Sequence, residues 1–367
     1  MNDPIGASDA LHARAGAMIA AYDGGEPPPE AFEQLAADLT RFQAARVPGY
    51  ARLCAARGFA MDAGAGGRAP AVPADAFKTG RVFAFDDQAG AIAFRTSGTT
   101  VGARGVHRMR HARTYDAAAL AFGRRMLFGG LPLPAPVLVI GPSPESAPDS
   151  SLAHMCATFA RSFGAAGDAV ETYVAGGVIS TDRLRARAEA LGPSRPAVVL
   201  ATSFALVHWL DALGGRTVPL PPRSRIMQTG GFKGRSREVS PAGLRRAVAA
   251  AFAVDERAVV SEYGMTELSS QFWEATAVDP GAPRGVYVEP PWARVVPVDG
   301  ETLEPVSDGA AGIARIEDLA NVDSAWAVLT HDRVRRVAGG FELLGRSAGA
   351  PPRGCSIALD EMLSASA

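Results

Sequence analysis

A glycine- and hydroxyl-rich segment at residues 95–105, RTSGTTVGARG, has the composition of a phosphate-binding loop. Backbone N–H groups in such a turn, together with serine and threonine hydroxyls, can surround phosphate oxygens, and Arg104 adds a charge-assisted donor. The segment lacks the GxxxxGK[ST] spacing of a Walker loop. Because the same residue types are common in ordinary turns, the segment alone is compatible with a polyphosphate site or with a plain surface turn.

A second cluster, SEYGMTE at residues 261–267, directly follows an apolar run. The ring of Tyr263 could stack on a purine, the Thr266 hydroxyl could bond a phosphate, and the Glu267 carboxylate could hold Mg²⁺. In an open α/β sheet the carboxyl ends of the strands line the ligand crevice. Each residue alone could serve packing or capping, so it is their consecutive occurrence that indicates a nucleotide site.

The elements that would position these clusters are predicted from apolar periodicity. Between residues 136 and 264, the predicted strands are PVLVIG, AVVLAT, RIMQTGG and AVVSEYG, and the predicted helices cover residues 151–163, 203–213 and 241–252. This alternation is typical of an α/β fold with a parallel sheet built from right-handed crossover units. A further surface helix is predicted at residues 31–46.

The pattern changes after about residue 285, where short strand-like runs follow one another. These runs are RVVPV, GIARIEDL, AWAVLT and VRRVAGGFELLG, and the Gly339–Gly340 pair suits a hairpin turn. We therefore expect one large domain over residues 1–344 with a β-rich portion at about 285–344. Residues 345–367 would form a short C-terminal segment.

Composition excludes several classes of function. The chain has 37 Lys and Arg against 38 Asp and Glu, so no net field attracts nucleic acid. No apolar run approaches the roughly 18 residues of a membrane span, and the first residues lack a signal-peptide pattern, which favours a cytoplasmic location. The three cysteines lie far apart without a CxxC pair, so neither a zinc site nor a disulfide framework is indicated.

The two clusters together resemble the adenylate-forming superfamily of acyl-CoA synthetases and related ligases, which carries SGTTGxPKG and a later YGxTE. Residues 97–100 match the first pattern, Arg104 stands at the usual lysine, and Val101 replaces a glycine. The third mark of the superfamily, TGD followed by a hairpin and GR, is represented by residues 330–332 (THD) and 345–346 (GR). A histidine, His331, replaces the glycine of this mark.

This resemblance implies the N-terminal domain of an adenylate-forming enzyme, with interleaved sheets, that uses ATP and Mg²⁺ to activate a carboxylic acid. By resemblance, Glu267 holds the metal, Asp332 holds the ribose hydroxyls, and Arg346 lies at a domain junction. The other nucleotide-binding residues implied are Thr96, Ser97, Gly98, Thr99, Thr100, Gly230, Gly231, Glu262, Tyr263, Gly264 and Thr266.

Narrower similarity is to the LuxE-like acyl-protein synthetases, over roughly residues 75–360. It is carried by the short matches GVH at 105–107, SSL at 150–152, TSF at 202–204, TGGFKG at 229–234 and RGCS at 353–356. The resemblance implies activation of a fatty acid and transfer of the acyl group to a cysteine, Cys355. From there the acyl group would pass to a partner acyl reductase.

Full adenylating ligases carry a C-terminal domain of on the order of 100 residues with a catalytic lysine. This sequence stops about 20 residues after Arg346, so we expect other groups to offset the charge of the reacting phosphate. The candidates are Lys233, Arg104 and His107, although Lys233 could also be a solvated surface residue. An exposed Cys355 thiol between Arg353 and a flexible Gly354 could be shifted towards thiolate, and a buried thiol is the alternative.

Further side chains could line an acyl pocket. Phe204 is a candidate for the pocket wall, His154 and Cys156 are interpreted as core rather than pocket, and Trp209 and Leu213 are predicted to be core. Two other functions stay open: a stand-alone acyl- or aryl-CoA ligase, and a non-catalytic nucleotide-binding subunit, which the substituted motif positions favour. The acceptor could also be CoA or a carrier protein, and no motif identifies the acid.

Overall fold

The chain is described here by a computed structural model that covers residues 3–59, 68–79, 81–86, 92–96, 103–164, 170–230, 239–347 and 352–363. It consists of two compact units. Unit 1 comprises Met1–Ala121, Met265–Gln271 and Glu289–Ala367, and unit 2 comprises Phe122–Gly264 and Phe272–Val288. Each unit is therefore assembled from segments that are distant in sequence.

The helices, in chain order, are α1 (Pro4–Gly24), α2 (Phe32–Ala44), α3 (Pro48–Ala56), α4 (Ala76–Thr79), α5 (Arg113–Met126), α6 (Ser151–Phe163), α7 (Thr181–Glu189), α8 (Ser203–Leu213), α9 (Pro241–Phe252) and α10 (Arg353–Leu363). The predicted helices at 31–46, 151–163, 203–213 and 241–252 are confirmed as α2, α6, α8 and α9. Side chains of Ser150, Thr202 and Ser240 cap the last three by accepting from backbone N–H groups of the first turn.

The strands are β1 (Val72–Pro73), β2 (Ile92–Arg95), β3 (Val106–Met109), β4 (Val137–Ile140), β5 (Glu171–Thr172), β6 (Val174–Ala175), β7 (Val178–Ile179), β8 (Val198–Thr202), β9 (Arg225–Thr229), β10 (Val259–Tyr263), β11 (Phe272–Glu274), β12 (Val286–Val288), β13 (Ala293–Val298), β14 (Ala311–Asp318), β15 (Ala327–Val337) and β16 (Gly340–Arg346).

Unit 2 contains the predicted parallel sheet. Its strand order is β12-β11-β10-β9-β8-β4-β5, in which the strands from β10 to β5 are parallel and the pairings of β11 with β10 and with β12 are antiparallel. Trp209 and Leu213 of α8 belong to the buried core, as predicted, and Trp209 stacks on Phe252 with 4.3 Å between ring centroids. The α/β fold class is confirmed.

Unit 1 contains the β-rich portion. Strands β13, β14, β15 and β16 pair antiparallel in sequence order, and β1 pairs parallel with β15. The predicted hairpin turn is confirmed, because Val337 pairs with Gly340 and the turn residue Gly339 has a φ of 84°, which suits glycine. The short strands β2 and β3 form a separate hairpin.

One sequence expectation was wrong in detail. The sequence predicts separate strands for the runs AWAVLT and VRRVAGGFELLG, but residues 327–330 of the first and 334–337 of the second belong to the single strand β15. The polar residues between them stay in the strand, where Arg333 pairs with Ile313 of β14, and the pairing with β16 shifts register between Asp332 and Val334. Such an irregularity changes the direction of a side chain without ending the strand. None of the described helices is long and apolar enough to cross a bilayer.

Candidate functional site

The predicted phosphate loop joins the two strands of the β2–β3 hairpin in unit 1. Thr96 closes the hairpin, since its N–H donates to the Gly105 carbonyl at 2.9 Å and its hydroxyl accepts from the Gly105 N–H at 2.9 Å. The predicted residues Ser97, Gly98, Thr99 and Thr100 lie outside the described residues. The hairpin nevertheless brings the two ends of the loop together.

Arg104 lies at the base of this loop. Its Nε donates to the Thr96 carbonyl at 2.6 Å, and a terminal nitrogen donates to the Arg95 carbonyl at 3.3 Å. The side chain is exposed. The guanidinium therefore lies along the hairpin backbone, and its positive charge is next to Thr96, where the loop begins.

His107 connects the hairpin to the second motif within unit 1. It is 1% exposed, and its Nδ1 lies 2.8 Å from the carbonyl oxygen of Thr266. Because a carbonyl oxygen only accepts, Nδ1 must carry the proton. Burial lowers the pKa of His107 to about 4, so the ring is neutral at pH 7. This environment suits a positioning group better than a source of positive charge.

The other half of the second motif lies at the end of β10 in unit 2. Tyr263 is buried and stacks on Phe272 with 5.9 Å between centroids. Glu262 pairs in register with Thr229 of β9 and accepts a hydrogen bond from its hydroxyl. Burial raises the pKa of Glu262 to about 7. Gly264 follows Tyr263 directly, so it stands at the same strand end.

Gly230 follows β9 with a φ of 71°, a left-handed conformation that favours glycine. Its strand is the parallel neighbour of β10, and both strands therefore end at the same edge of the sheet in unit 2. Gly231 and Lys233, which follow in sequence, lie outside the described residues.

The third motif forms a cross-strand pair in unit 1. Asp332 of β15 and Arg346 of β16 are register partners, and Arg346 Nε lies 3.3 Å from Asp332 Oδ1. The Asp332 N–H donates to the Thr330 hydroxyl at 3.0 Å. The histidine that replaces the usual glycine, His331, lies 3.1 Å from Asp75 Oδ2 and holds the pKa of that carboxyl well below its usual range.

Cys355 lies on α10 with its Sγ 4.0 Å from the Thr330 carbonyl oxygen. Of the two alternatives for its thiol, the structure shows the buried one, because the residue is 2% exposed and burial raises the pKa of the thiol to about 11. Gly354 is also packed rather than flexible. A Cβ at this position would lie 2.9 Å from the backbone oxygens of residues 300 and 301.

The pocket candidates lie in unit 2. Cys156 of α6 is buried, and its thiol pKa is raised by burial and by the nearby Glu262. His154 is half-buried. Phe204 is also half-buried, and its ring contacts that of His208 at 4.5 Å between centroids.

Within the described part of the chain, no three His, Cys, Asp or Glu side chains are grouped to hold a metal. The implied Mg²⁺ does not require such a group. Magnesium in nucleotide sites is usually held by one or two carboxylates together with water and substrate phosphates. The Glu267 carboxylate and the Thr266 hydroxyl supply oxygen donors of this kind, so the residues present fit the ion.

Sequence reasoning missed two buried side chains of unit 1 that hydrogen-bond to the backbone of residues 267 and 269. Asn321 donates from Nδ2 to the Glu267 carbonyl at 2.8 Å, and Asp318 accepts from the Ser269 N–H at 2.9 Å. The only signal in the sequence was polar residues at the end of strand β14 and directly after it, a pattern that also describes ordinary loops.

No protein-family model matches this chain, and no curated protein is detectably similar to it in sequence. Solved structures do resemble it. A 2-hydroxyisobutyryl-CoA ligase in the postadenylation state with R3-HIB-AMP is 14% identical, with 87% of this chain and 72% of that chain covered and a TM-score of 0.60.

Two further similar structures are an ATP-bound RpMatB-BxBclM chimera and ATP-bound MatB from Rhodopseudomonas palustris. Each is 16% identical over 70% of this chain, with TM-scores of 0.50 and 0.49. The chain spans about half the length of these two proteins, which is 48% for each. At such identities, the likeness to the 2-hydroxyisobutyryl-CoA ligase shows the fold alone, and this is the adenylate-forming fold that the sequence predicted.

Proposed function

We propose that this chain is an ATP-dependent, AMP-forming ligase that activates a carboxylic acid to an acyl-adenylate. The observation that carries the proposal is the cross-strand pair of Asp332 and Arg346, because it places two separated parts of the third motif together. The position of Tyr263 at a strand end and of Thr96 at the base of a loop gives further support. The adenylate-forming fold is consistent with this chemistry.

In the proposed reaction, a carboxylate oxygen of the acid attacks the α-phosphorus of ATP. The new P–O bond replaces the bond to the leaving pyrophosphate, and the product is a mixed anhydride of the acid and AMP. Bound Mg²⁺ supplies neutralisation of the phosphate charge. Glu267 would hold the ion, Arg104 and the loop at residues 97–100 would bind phosphate oxygens, and Lys233 is a further candidate for charge neutralisation.

The remaining roles concern binding of the nucleoside. Asp332 would accept from the ribose hydroxyls, and the Tyr263 ring would pack on the base. His107 is neutral and already donates to Thr266, so we assign it to positioning. The backbone at Gly230 would leave room for the nucleotide.

The finer proposal is an acyl-protein synthetase that activates a fatty acid in the cytoplasm and passes the acyl group to Cys355. The thiolate would attack the acyl carbon, and AMP would leave with the bonding electron pair. The group would then pass to a partner acyl reductase or a carrier. Support comes from the 4.0 Å contact of the Cys355 sulfur with Thr330, two residues before Asp332. Because the thiol is buried, the transfer requires displacement of α10.

The burial of Cys355 also favours a second candidate function, a CoA ligase in which the thiol of CoA takes the acyl group. The solved structure with a TM-score of 0.60 is a CoA ligase by name. A third possibility, a nucleotide-binding subunit without catalysis, is separated from both by the experiment below.

The test is a screen of carboxylic acids for acid-dependent ATP–pyrophosphate exchange. We expect exchange with at least one acid, a requirement for Mg²⁺, and AMP with pyrophosphate as products. Formation of ADP and phosphate would overturn the mechanism. Nucleotide binding without exchange for every acid would favour the non-catalytic function. Acid-dependent CoA thioester, formed without an acyl group on the protein, would favour the CoA ligase.

A further inference from the structure

The segment Met265–Gln271, which carries Thr266 and Glu267, is held inside unit 1 by a side chain from the loop after β14. That side chain is Asn321, which is 1% exposed. Its Nδ2 donates to the Glu267 carbonyl at 2.8 Å and to the Ala325 carbonyl at 2.9 Å. Both N–H groups of the amide are therefore used to hold backbone carbonyls.

The orientation of the Asn321 amide is fixed by its surroundings. Its Oδ1 accepts from the Ser269 hydroxyl at 2.5 Å, on the opposite side from the two carbonyls. A flipped amide would direct its oxygen at carbonyl oxygens, which cannot donate. The Asn321 backbone is held as well, because its carbonyl accepts from Gln43 Nε2 of α2 at 2.8 Å.

Asp318 accepts hydrogen bonds from both the Met265–Gln271 segment and the loop after β14. One carboxylate oxygen accepts from the Ser269 N–H at 2.9 Å, and the other accepts from the Ser270 hydroxyl at 2.7 Å and the Ala320 N–H at 3.0 Å. The side chain is fully buried. Asp318 therefore fixes Ser269, whose hydroxyl orients Asn321.

Two consecutive carbonyls of the nucleotide motif are thus held by different elements of unit 1. His107 donates to the Thr266 carbonyl at 2.8 Å, and Asn321 donates to the Glu267 carbonyl at 2.8 Å. Consecutive peptide planes set the direction of the intervening Cα–Cβ bond. Fixing both carbonyls therefore fixes where the Glu267 side chain leaves the backbone.

We infer that Asn321, oriented by Ser269 and Asp318, is a positioning residue that aims the Glu267 carboxylate at the metal–nucleotide complex. This inference rests on the proposed function, in which Glu267 holds Mg²⁺. The competing interpretation is that Asn321 only satisfies buried backbone groups. The two differ in whether loss of the amide changes metal affinity beyond its effect on stability.

The experiment compares Asn321→Ala and Ser269→Ala with a matched control, Thr276→Val. Thr276 of unit 2 is buried and donates its hydroxyl to the Arg257 carbonyl at 2.9 Å, so this nearly isosteric change also removes one buried hydrogen bond to a carbonyl. The first readout is Mn²⁺ affinity by electron paramagnetic resonance, in the presence of a non-hydrolysable ATP analogue. The second readout is the Mg²⁺ concentration for half-maximal ATP–pyrophosphate exchange.

We expect Asn321→Ala to raise the Kd for Mn²⁺ and the Mg²⁺ concentration for half-maximal exchange by about tenfold each. This is the scale of one lost buried hydrogen bond. The KM for ATP at saturating metal should change less than twofold. Ser269→Ala, which keeps the amide but removes the hydrogen bond to its oxygen, should show a smaller change in the same direction. This variant also covers the case in which Asn321→Ala does not fold. Thr276→Val should lower Tm without changing the metal dependence.

Metal affinity equal to that of the parent in a folded Asn321→Ala or Ser269→Ala protein would overturn the inference. Equal weakening by Thr276→Val would do the same, because it would show a general effect of stability. A parent protein that binds the Mn²⁺–nucleotide complex but catalyses no exchange would refute the proposed function while the positioning inference is still tested by affinity. A parent that binds no such complex would refute both.

Discussion

At the residue scale, burial determines which side chains can carry charge in this protein. His107 is neutral at pH 7 because burial lowers its pKa to about 4, whereas Cys355 stays protonated because burial raises its thiol pKa to about 11. The guanidinium of Arg104 lies at an exposed position at the base of the predicted phosphate loop. Of these three residues, Arg104 is therefore the one suited to meet phosphate.

A first prediction concerns Glu267. The change Glu267→Gln keeps the side-chain size and the backbone contact with Asn321 but removes the negative charge that would hold Mg²⁺. We expect ATP–pyrophosphate exchange to fall by about 100-fold or more, the usual scale of lost electrostatic stabilisation. Glu304→Gln is the control, because Glu304 is an exposed carboxylate of the same unit. Unchanged exchange in Glu267→Gln would remove Glu267 from the metal site.

A second prediction concerns Asp332, which would accept from the ribose hydroxyls. Asp332→Ala should weaken ATP binding by on the order of 1.5–3 kcal/mol, the range for a hydrogen bond to a charged group. The measurement is the Kd for ATP by calorimetry, with Glu304→Ala as the exposed control. Since Asp332 also pairs with Arg346, the variant's Tm should be recorded as well. ATP binding as tight as in the parent would contradict the proposed role.

At the element scale, α10 carries the proposed acyl acceptor, Cys355, in a buried position. The helix is held against α3, where Arg52 Nε donates to the Met362 carbonyl at 3.0 Å and Arg57 pairs with Glu361 at 2.8 Å. Both contacts lie at the end of α10 away from Cys355. Removing one of these contacts weakens the attachment of α10 without changing the residues that contact the sulfur.

The prediction at this scale is that acyl labelling of Cys355 is limited by displacement of α10. With ATP, Mg²⁺ and an activated acid, the parent should carry one hydroxylamine-labile acyl group. Arg52→Ala should acquire it faster, because the variant lacks the bond to Met362. Displacement of α10 precedes attack as an equilibrium, so the labelling rate should also rise with pH towards the thiol pKa of about 11, because the thiolate is the nucleophile. Mass spectrometry of the intact protein follows the label.

Cysteine variants provide the controls for this labelling. Cys355→Ala should lose the label and keep ATP–pyrophosphate exchange, because adenylation precedes thiol attack. Cys54→Ala removes another buried thiol and should keep the label. A fully labelled Cys355→Ala protein would exclude this acceptor.

At the scale of the whole molecule, buried carboxyls link the stability of the fold to pH. Glu262 in unit 2 has its pKa raised from 4.5 to about 7 by burial. The folded state therefore binds a proton more tightly than the unfolded state. This contribution to stability is fully present below about pH 4.5 and is lost as the pH rises through about 7.

The corresponding prediction is that Glu262→Gln unfolds at higher urea concentration than the parent at pH 8 and at a similar concentration near pH 4. The neutral amide keeps an oxygen to accept from Thr229 and removes the cost of a buried charge. The pKa shift of Glu262 implies that the variant's free energy of unfolding is higher by on the order of 3 kcal/mol at pH 8. Glu301→Gln, at an exposed position, should show no such pH dependence. A stability difference that is the same at both pH values would contradict the prediction.

The sequence by itself determined the elements of this protein and the order of its motifs. Apolar periodicity is a local property, and it predicted α6, α8 and α9 and the parallel strands between them. Motif spacing placed Asp332 and Arg346 on either side of a hairpin, because strand pairing across a short turn is also local. The adenylate-forming fold was implied by the resemblance of three motifs, in their order along the chain, to a known superfamily, and this resemblance needs no long-range contact.

Only the tertiary structure decided burial, protonation and the support of the nucleotide motif. His107 meets a carbonyl 159 residues away, and Asn321 meets one 54 residues away. The burial of Cys355 likewise depends on the packing of α10 against residues near 300 and 330. A pKa and a hydrogen-bond partner are set by all the atoms around a group, and residues far apart in sequence supply most of those atoms.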